Sequence, residues 1–476
     1  LGNTHMTAIL HGQDTLTPPA GGHVRRLNDA VLFFIEHLAG LILAVDVLVV
    51  FASVFYRYAL HTPLEWAEEV ASGLMTAIIF LGAGSVLGRN QHVGIDFFLN
   101  RFPARVRPLL LQVGAWLTAM MCVGFALSTY ELIVDSEGQT TPFGFQQVYL
   151  LYPVLFGSLV MSLFSVSNAL KGGRTSRWVT LAACTLFAAA NYYWNLSQPE
   201  LAVPPIVYLV VSFFGCIVIG IPIAFAIALS AMLYFLFEPS LPMLIYSQQV
   251  VAGANHFVLL AIPFFVLAGL TMEANGMSTR LIELLLRVFG RFRGGLNLIT
   301  IIATTLFSGV SGSKLADIAA VGGIIVPAVR RTKQDPNDAA GLLACTAIMS
   351  ETIPPCVNMI IFGFVASISI GGLFMAGVVP AIILAISLSI VAVIYGKRID
   401  PKDAITTQRT LVRLIGGSMV ALAMIVMIGK GVTSGVATST EISAFAVIYA
   451  LLVGGLAFRE LTFKKVVHLF AVSYTH

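Results

Sequence analysis

The chain is 476 residues long, 58% hydrophobic and only 11% charged, with a formal net charge of +4. About a quarter of the residues of a soluble domain are charged, so a string of soluble domains is excluded, and a charge this small and this dispersed gives no case for nucleic acid. Mean hydropathy is +0.90, and apolar runs of roughly 20 residues recur from end to end. They are continuous rather than alternating, which points to an all-α polytopic membrane protein and away from a β-barrel.

Residues 1–24 are polar and are expected to be disordered. Five spans are predicted before residue 200, near 30–56, 66–88, 106–132, 148–170 and 177–194. Arg25 and Arg26 precede the first, Arg89, Arg101, Arg105 and Arg107 lie between the second and third, and Lys171, Arg174 and Arg177 lie between the fourth and fifth. The opposite connections carry Arg57 but also Glu65, Glu68, Glu69, Asp135 and Glu137. By the positive-inside rule the N-terminus is cytoplasmic and the fifth span ends outside, at "NLSQPELAVPP". Asp46 is the one carboxylate deep in a span, and pairing with His37 or a neighbouring helix is expected. "GAGSVLG", from Gly82, reads as small-residue helix packing. The five cysteines lie in apolar segments and read as small buried hydrophobes.

The character changes after residue 204, where Gly and Pro interrupt the apolar runs. "GIPIAFAIAL", from Gly220, leaves the number of crossings between 204 and 276 open. "MSTRLIELLLRVFGRFRGG" follows, setting Leu281, Ile282, Leu284, Leu285 and Val288 against Arg280, Arg287, Arg291 and Arg293. It is predicted as an amphipathic helix at the cytoplasmic interface.

Residues 294–329 are flanked by Arg291 and Arg293 on one side and Arg330, Arg331 and Lys333 on the other, so both ends are read as cytoplasmic. The segment would span about 54 Å as one helix or about 27 Å as each of two. Its centre is "FSGVSGSKLADIAA", Phe307 to Ala320. A helical hairpin dipping into the membrane fits this pattern, and so do two short full spans with a tight outer turn. Irregular backbone at membrane depth is tolerated only where protein or a water-filled cavity satisfies it. Ser308, Ser311 and Ser313 offer hydroxyl oxygens suited to a hard cation such as Na⁺. Lys314 and Asp317 each cost about 2.5–3.5 kcal/mol in hydrocarbon on insertion scales and should face protein or water.

A second break follows in "CTAIMSETIPPCVNMIIFGF", Cys345 to Phe364. Pro354 and Pro355 remove two backbone donors and clash with the preceding turn. With Glu351, Thr352 and Asn358 beside them, they predict a discontinuous helix at a binding site. Lys397, Arg398, Lys402, Arg409 and Arg413 mark a further cytoplasmic loop, and "GVTSGVATSTEISAFAVIYALL" opens the last long apolar stretch.

Taken together, the motifs make the chain similar to the membrane component of a tripartite ATP-independent periplasmic (TRAP) transporter. "FYRYALHTPLEWAEEV" and "FLGAGSVLGRNQHVGIDFF" resemble the small, Q-type subunit. "GIPIAFAIALS", "IPFFVLAGLTMEANGMS", "FSGVSGSKLADIAAVGGIIVPA", "ETIPPCVNMIIFG" and "GVATSTEISAFAVIYALL" resemble the large, M-type subunit. The implied division is a four-helix Q-type scaffold at 25–172, a linker helix and outer loop at 173–203, and an elevator-type M domain at 204–476. The resemblance implies inward transport of an organic acid with Na⁺ as coupling ion and no other cofactor, and a periplasmic solute-binding protein that delivers the substrate. Carried over, Ser308, Gly309, Ser311, Gly312 and Ser313, with Asp317 nearby, frame a first Na⁺ site and one wall of the substrate site. Thr352, Pro354, Pro355 and Asn358, with Glu351, supply the facing wall. Lys314 stands where a small residue is expected; pairing with Asp317 and contact with a substrate carboxylate both stay open. The M-type subunit is an inverted repeat, so a second hairpin and second broken helix are expected beyond His476. A channel is the alternative class, but no polar stripe runs along whole helices. An intramembrane enzyme would need a Ser–His, Asp–Asp or HExxH constellation, and Ser311 has no histidine near it in sequence.

Overall fold

A computed structural model of the chain describes residues 22–89, 91–171, 174–197, 203–238, 240–311, 314–398 and 411–473. Among them the protein is helical, with a single isolated β-bridge, Thr140 to Gln146. Nine of the described helical segments are long and apolar enough to cross a membrane, and three shorter apolar helices accompany them. The chain divides into two compact units, Leu1–Ala39 with Thr76–Asn255, and Gly40–Met75 with His256–His476.

The first unit contains the start of α1 (Gly22–Ala59), the end of α2 (Ala67–Gly88), the short α3 (Asp96–Leu99), α4 (Arg107–Asp135), α5 (Gln147–Ala169) and α6 (Arg174–Ser197). The second to fifth predicted spans agree with these helices to within three residues, and the first helix begins eight residues before its predicted start. Small residues set the packing, as "GAGSVLG" foretold: a Cβ on Gly84 would sit 2.8 Å from Val160 Cγ1. Ser85 Oγ donates to Glu36 Oε1 at 3.0 Å, and Arg89 closes a two-pronged pair on the same carboxylate. His37 Nδ1 lies 2.8 Å from the carbonyl of Phe33 on its own helix, so the expected Asp46–His37 pair does not form. Asp46 is fully buried, and neither carboxylate oxygen has a hydrogen-bond partner among the described residues.

After residue 204 the chain forms a helical hairpin. α7 (Pro205–Ile219) and α8 (Ile223–Phe237) pack against each other. Tyr208, near the start of α7, stacks on Phe237, the last residue of α8, with ring centroids 4.2 Å apart. The helices are therefore antiparallel. Gly220 makes the turn possible because it adopts φ +86°, a left-handed conformation costly for any residue with a Cβ. At 15 residues each, the helices are about 22 Å long. α9 (Met243–Ala254) completes the unit, with Ser128 Oγ donating to the Met243 carbonyl at 2.9 Å.

In the second unit, a 3₁₀ turn at Phe257–Leu260 leads into α10 (Ala261–Ala274), followed by α11 (Met277–Phe289). Two hairpin helices come next, α12 (Gly295–Ser311) and α13 (Lys314–Arg331). α14 (Pro336–Met349), a 3₁₀ turn at Ser350–Thr352 and α15 (Val357–Val365) form the broken helix. α16 (Ile370–Tyr395), α17 (Leu411–Thr433), α18 (Ser439–Leu452) and α19 (Phe463–Ser473) close the unit. α16 leaves Ile382, Ile383, Ile386, Ile390 and Ile394 exposed, as a helix facing lipid would.

α11 is amphipathic as predicted, but its basic face is not wholly at an interface. Arg280 is 9% exposed. Its guanidinium reaches Glu460 Oε1 at 2.5 Å, donates to the Asn275 carbonyl at 3.1 Å and lies 3.8 Å over the Phe458 ring. The residue that sequence placed at a headgroup layer is a buried clasp between α11 and the segment following α18.

Candidate functional site

The first half of the site is the tip of the α12–α13 pair. The two helices are joined across residues 312–313 and pack side by side. Their foot is pinned by Arg293, which donates to the Gly396 and Ile394 carbonyls at 3.3 and 3.0 Å, and by Gly294 N–H to the Lys397 carbonyl at 3.1 Å. Seventeen and eighteen residues give helices of about 25 and 27 Å.

The second half is the break between α14 and α15. Proline chemistry explains it locally. In a continuing helix the N–H of residue 354 would bond to the Ser350 carbonyl, and that of 355 to the Glu351 carbonyl; Pro354 and Pro355 have none. The Ser350 carbonyl, which keeps only a long bond from the Ile353 N–H at 3.4 Å, accepts from Ser308 Oγ at 3.0 Å. Ser308 is fully buried and Ser350 is 2% exposed, so this bond lies in the interior. Gly309 brings the tip still closer: a Cβ there would meet the Pro354 carbonyl at 3.6 Å and Ile425 of α17 at 3.7 Å. Tip and break therefore face one another.

α16 fixes the depth of this meeting. A Cβ on Gly377 would lie 2.5 Å from the Thr352 carbonyl oxygen. Along α16, Gly377 stands about 28 Å from Gly396, where the foot is tied, and about 10 Å from Ile370. The break thus packs against α16 about a quarter of the way along it from Ile370.

Glu351 bridges the break, accepting from Asn358 Nδ2 and from Cys356 Sγ, the latter at 3.4 Å. Thr352 Oγ1 donates to the Met349 carbonyl at 2.8 Å. Pro355 and Cys356 are buried, Pro354, Thr352 and Glu351 half-buried, and Asn358 exposed. Asp317, in the first turn of α13, is 1% exposed. Gly312 and Ser313, and the side chains of Ser311 and Lys314, lie outside the described residues. The structure thus brings Ser308 and Gly309 to Ser350, Thr352 and Pro354. Sequence reasoning had passed over Ser350, Gly377 and Ile425. Ser350 could have been found by counting four residues back from Pro354.

Chemically, α14 ends in carbonyls that suit a cation, and α15 begins with N–H groups that suit an anion. No group of three or more His, Cys, Asp and Glu suited to a metal occurs among the described residues. Multiple apolar helices long enough to span, a helical hairpin and a facing broken helix are the kind of arrangement membrane transporters use.

The comparisons agree. Residues 210–475 match the family "Tripartite ATP-independent periplasmic transporter, DctM component", and residues 46–175 match the DctQ component. The chain belongs to the TRAP transporter family, as a fused Q and M permease. The sialic acid TRAP transporter permease SiaT of Haemophilus influenzae is 27% identical over 455 residues, 90% of this chain and 72% of that protein. The isethionate permease DctMQ of Oleidesulfovibrio alaskensis is 26% identical, over 83% of this chain and 63% of that protein. The 2,3-diketo-L-gulonate large permease YiaN of Escherichia coli is 37% identical, over 54% of this chain and 62% of that protein. The chain therefore spans about three-fifths to seven-tenths of the length of these relatives.

Proposed function

We propose that the complete protein imports an organic acid across the bacterial inner membrane by Na⁺ symport, receiving it from a periplasmic solute-binding protein. The observation that carries this reading is the Ser308–Ser350 contact, which sets two interrupted helices face to face. Freed carbonyls and hydroxyls replace the water of Na⁺, and the N-terminus of α15 favours a carboxylate nearby. The relatives' names, which include sialic acid, diketogulonate, isethionate and C4-dicarboxylate, support an organic acid as substrate class. The basic loops support a cytoplasmic N-terminus. In the elevator reading, the α12–α13 hairpin and the broken helix move together past the scaffold.

The test is reconstitution of the full-length protein in liposomes with its binding protein. Uptake should require an inward Na⁺ gradient and collapse when Na⁺ is replaced by K⁺. Uptake indifferent to that replacement would remove the Na⁺ assignment, and conductance without a binding protein would favour a channel.

A further inference from the structure

A cavity of about 560 Å³ lies away from the hairpin tip. It runs along the second half of α1, from Val50 to Arg57, a distance of about 10 Å. Part of its lining is apolar: buried Val50, half-buried Phe257, Val258 and Ile370, and exposed Ile368. Its mouth is polar and carries charges of both signs, Arg57 and Glu441 together with Glu65 and Glu68.

These charges are not equivalent. Glu441 is already engaged: it accepts from Arg57 at 3.0 Å and closes a capping box with Thr438 at the start of α18. The Arg57 side chain is nevertheless 56% exposed, so the rest of its planar fork stays open to an acceptor. The Ser53 and Ser439 hydroxyls open on the same space. Glu65 and Glu68 are exposed at the rim.

We propose that this cleft is a membrane phospholipid site selective for a headgroup that carries both a phosphate and a primary ammonium. The phosphate lies against the free edge of Arg57, and the ammonium donates to Glu65 and Glu68. A purely anionic headgroup leaves both glutamates unmatched and repelling. A quaternary ammonium cannot donate the hydrogen bonds that strengthen a charged contact. The apolar part of the lining takes an acyl chain, which a soluble zwitterion would leave unfilled. Ile368 at the cleft, with Phe55 and Leu60 nearby on α1 and the segment after it, is exposed apolar surface on which such a chain can continue.

The experiment uses the purified chain, stripped of lipid in detergent, with phospholipids of identical chains and ethanolamine, choline or glycerol headgroups. Lipid retention by native mass spectrometry and the shift in thermal midpoint are read for wild type, Glu65→Gln and the double variant Glu65→Gln/Glu68→Gln. Both glutamates are exposed, so the variants should keep the lipid-free midpoint of wild type. Ethanolamine lipid should bind wild type about tenfold more tightly than choline or glycerol lipid. The double variant should bring the three within about twofold, with the single variant between. Equal shifts from all three lipids in every protein would overturn the proposal and indicate an unselective lipid annulus. A shift of the same size from glycerophosphoethanolamine would overturn the membrane source and make the ligand soluble.

Discussion

Gly377→Ala should damage the protein through a single atom. The new Cβ would stand 2.5 Å from the Thr352 carbonyl oxygen and 2.7 Å from Met359 Cε. Met359 can swing aside, but the carbonyl is backbone of the 3₁₀ turn. A carbon–oxygen contact settles near 3.3 Å, so α16 and the break must part by about 0.8 Å. Overpacking of this kind costs about 1–3 kcal/mol. Gly→Ala within a helix also returns up to about 1 kcal/mol of propensity, which would blur the result. Gly323→Ala supplies the correction, since a Cβ there, on α13 of the same unit, meets nothing within 4 Å. The difference between the two variants isolates the clash and should be about 1–3 kcal/mol, read as thermal midpoints of the purified protein. Sodium-driven uptake by the full-length protein should fall for Gly377→Ala and persist for Gly323→Ala. Two variants with the same midpoint and the same uptake would refute the placement of α16 against the break.

Ser308→Ala removes the interior bond to the Ser350 carbonyl and should cost about 1 kcal/mol. Its larger effect should be a rise in the Na⁺ concentration that half-saturates uptake; an unchanged Na⁺ dependence moves the ion site elsewhere. Arg280→Met leaves Glu460 without its guanidinium and should destabilise by roughly 2–3 kcal/mol, less than a fully buried pair because Glu460 is 34% exposed. Adding Glu460→Gln should recover part of that loss in a double-mutant cycle, and additive losses would mean the two side chains do not interact.

Much of this architecture was legible because its causes are local. Pro354 and Pro355 break a helix wherever they stand, since a missing N–H is a property of the residue. That residues 294–329 form two helices rather than one was visible from basic residues at both ends of a segment too long for one span. Arg280 misled because a charge pattern does not reveal a partner 180 residues away. The turn at Gly220 was ambiguous for the same kind of reason: a glycine and a proline permit a kink or a reversal. The stacking of Tyr208 on Phe237 shows which occurred.

The sequence by itself determined the apolar spans, the two interruptions and the family motifs, all of which depend on residue chemistry read over a few turns of helix. Only the tertiary structure decided that the interruptions meet. Ser308 and Ser350 are 42 residues apart, and their bond needs the hairpin to fold back, the prolines to free one carbonyl, and Gly309 and Gly377 to leave room for close approach. That convergence depends on packing between helices, and helix packing is not a property of any one stretch of sequence.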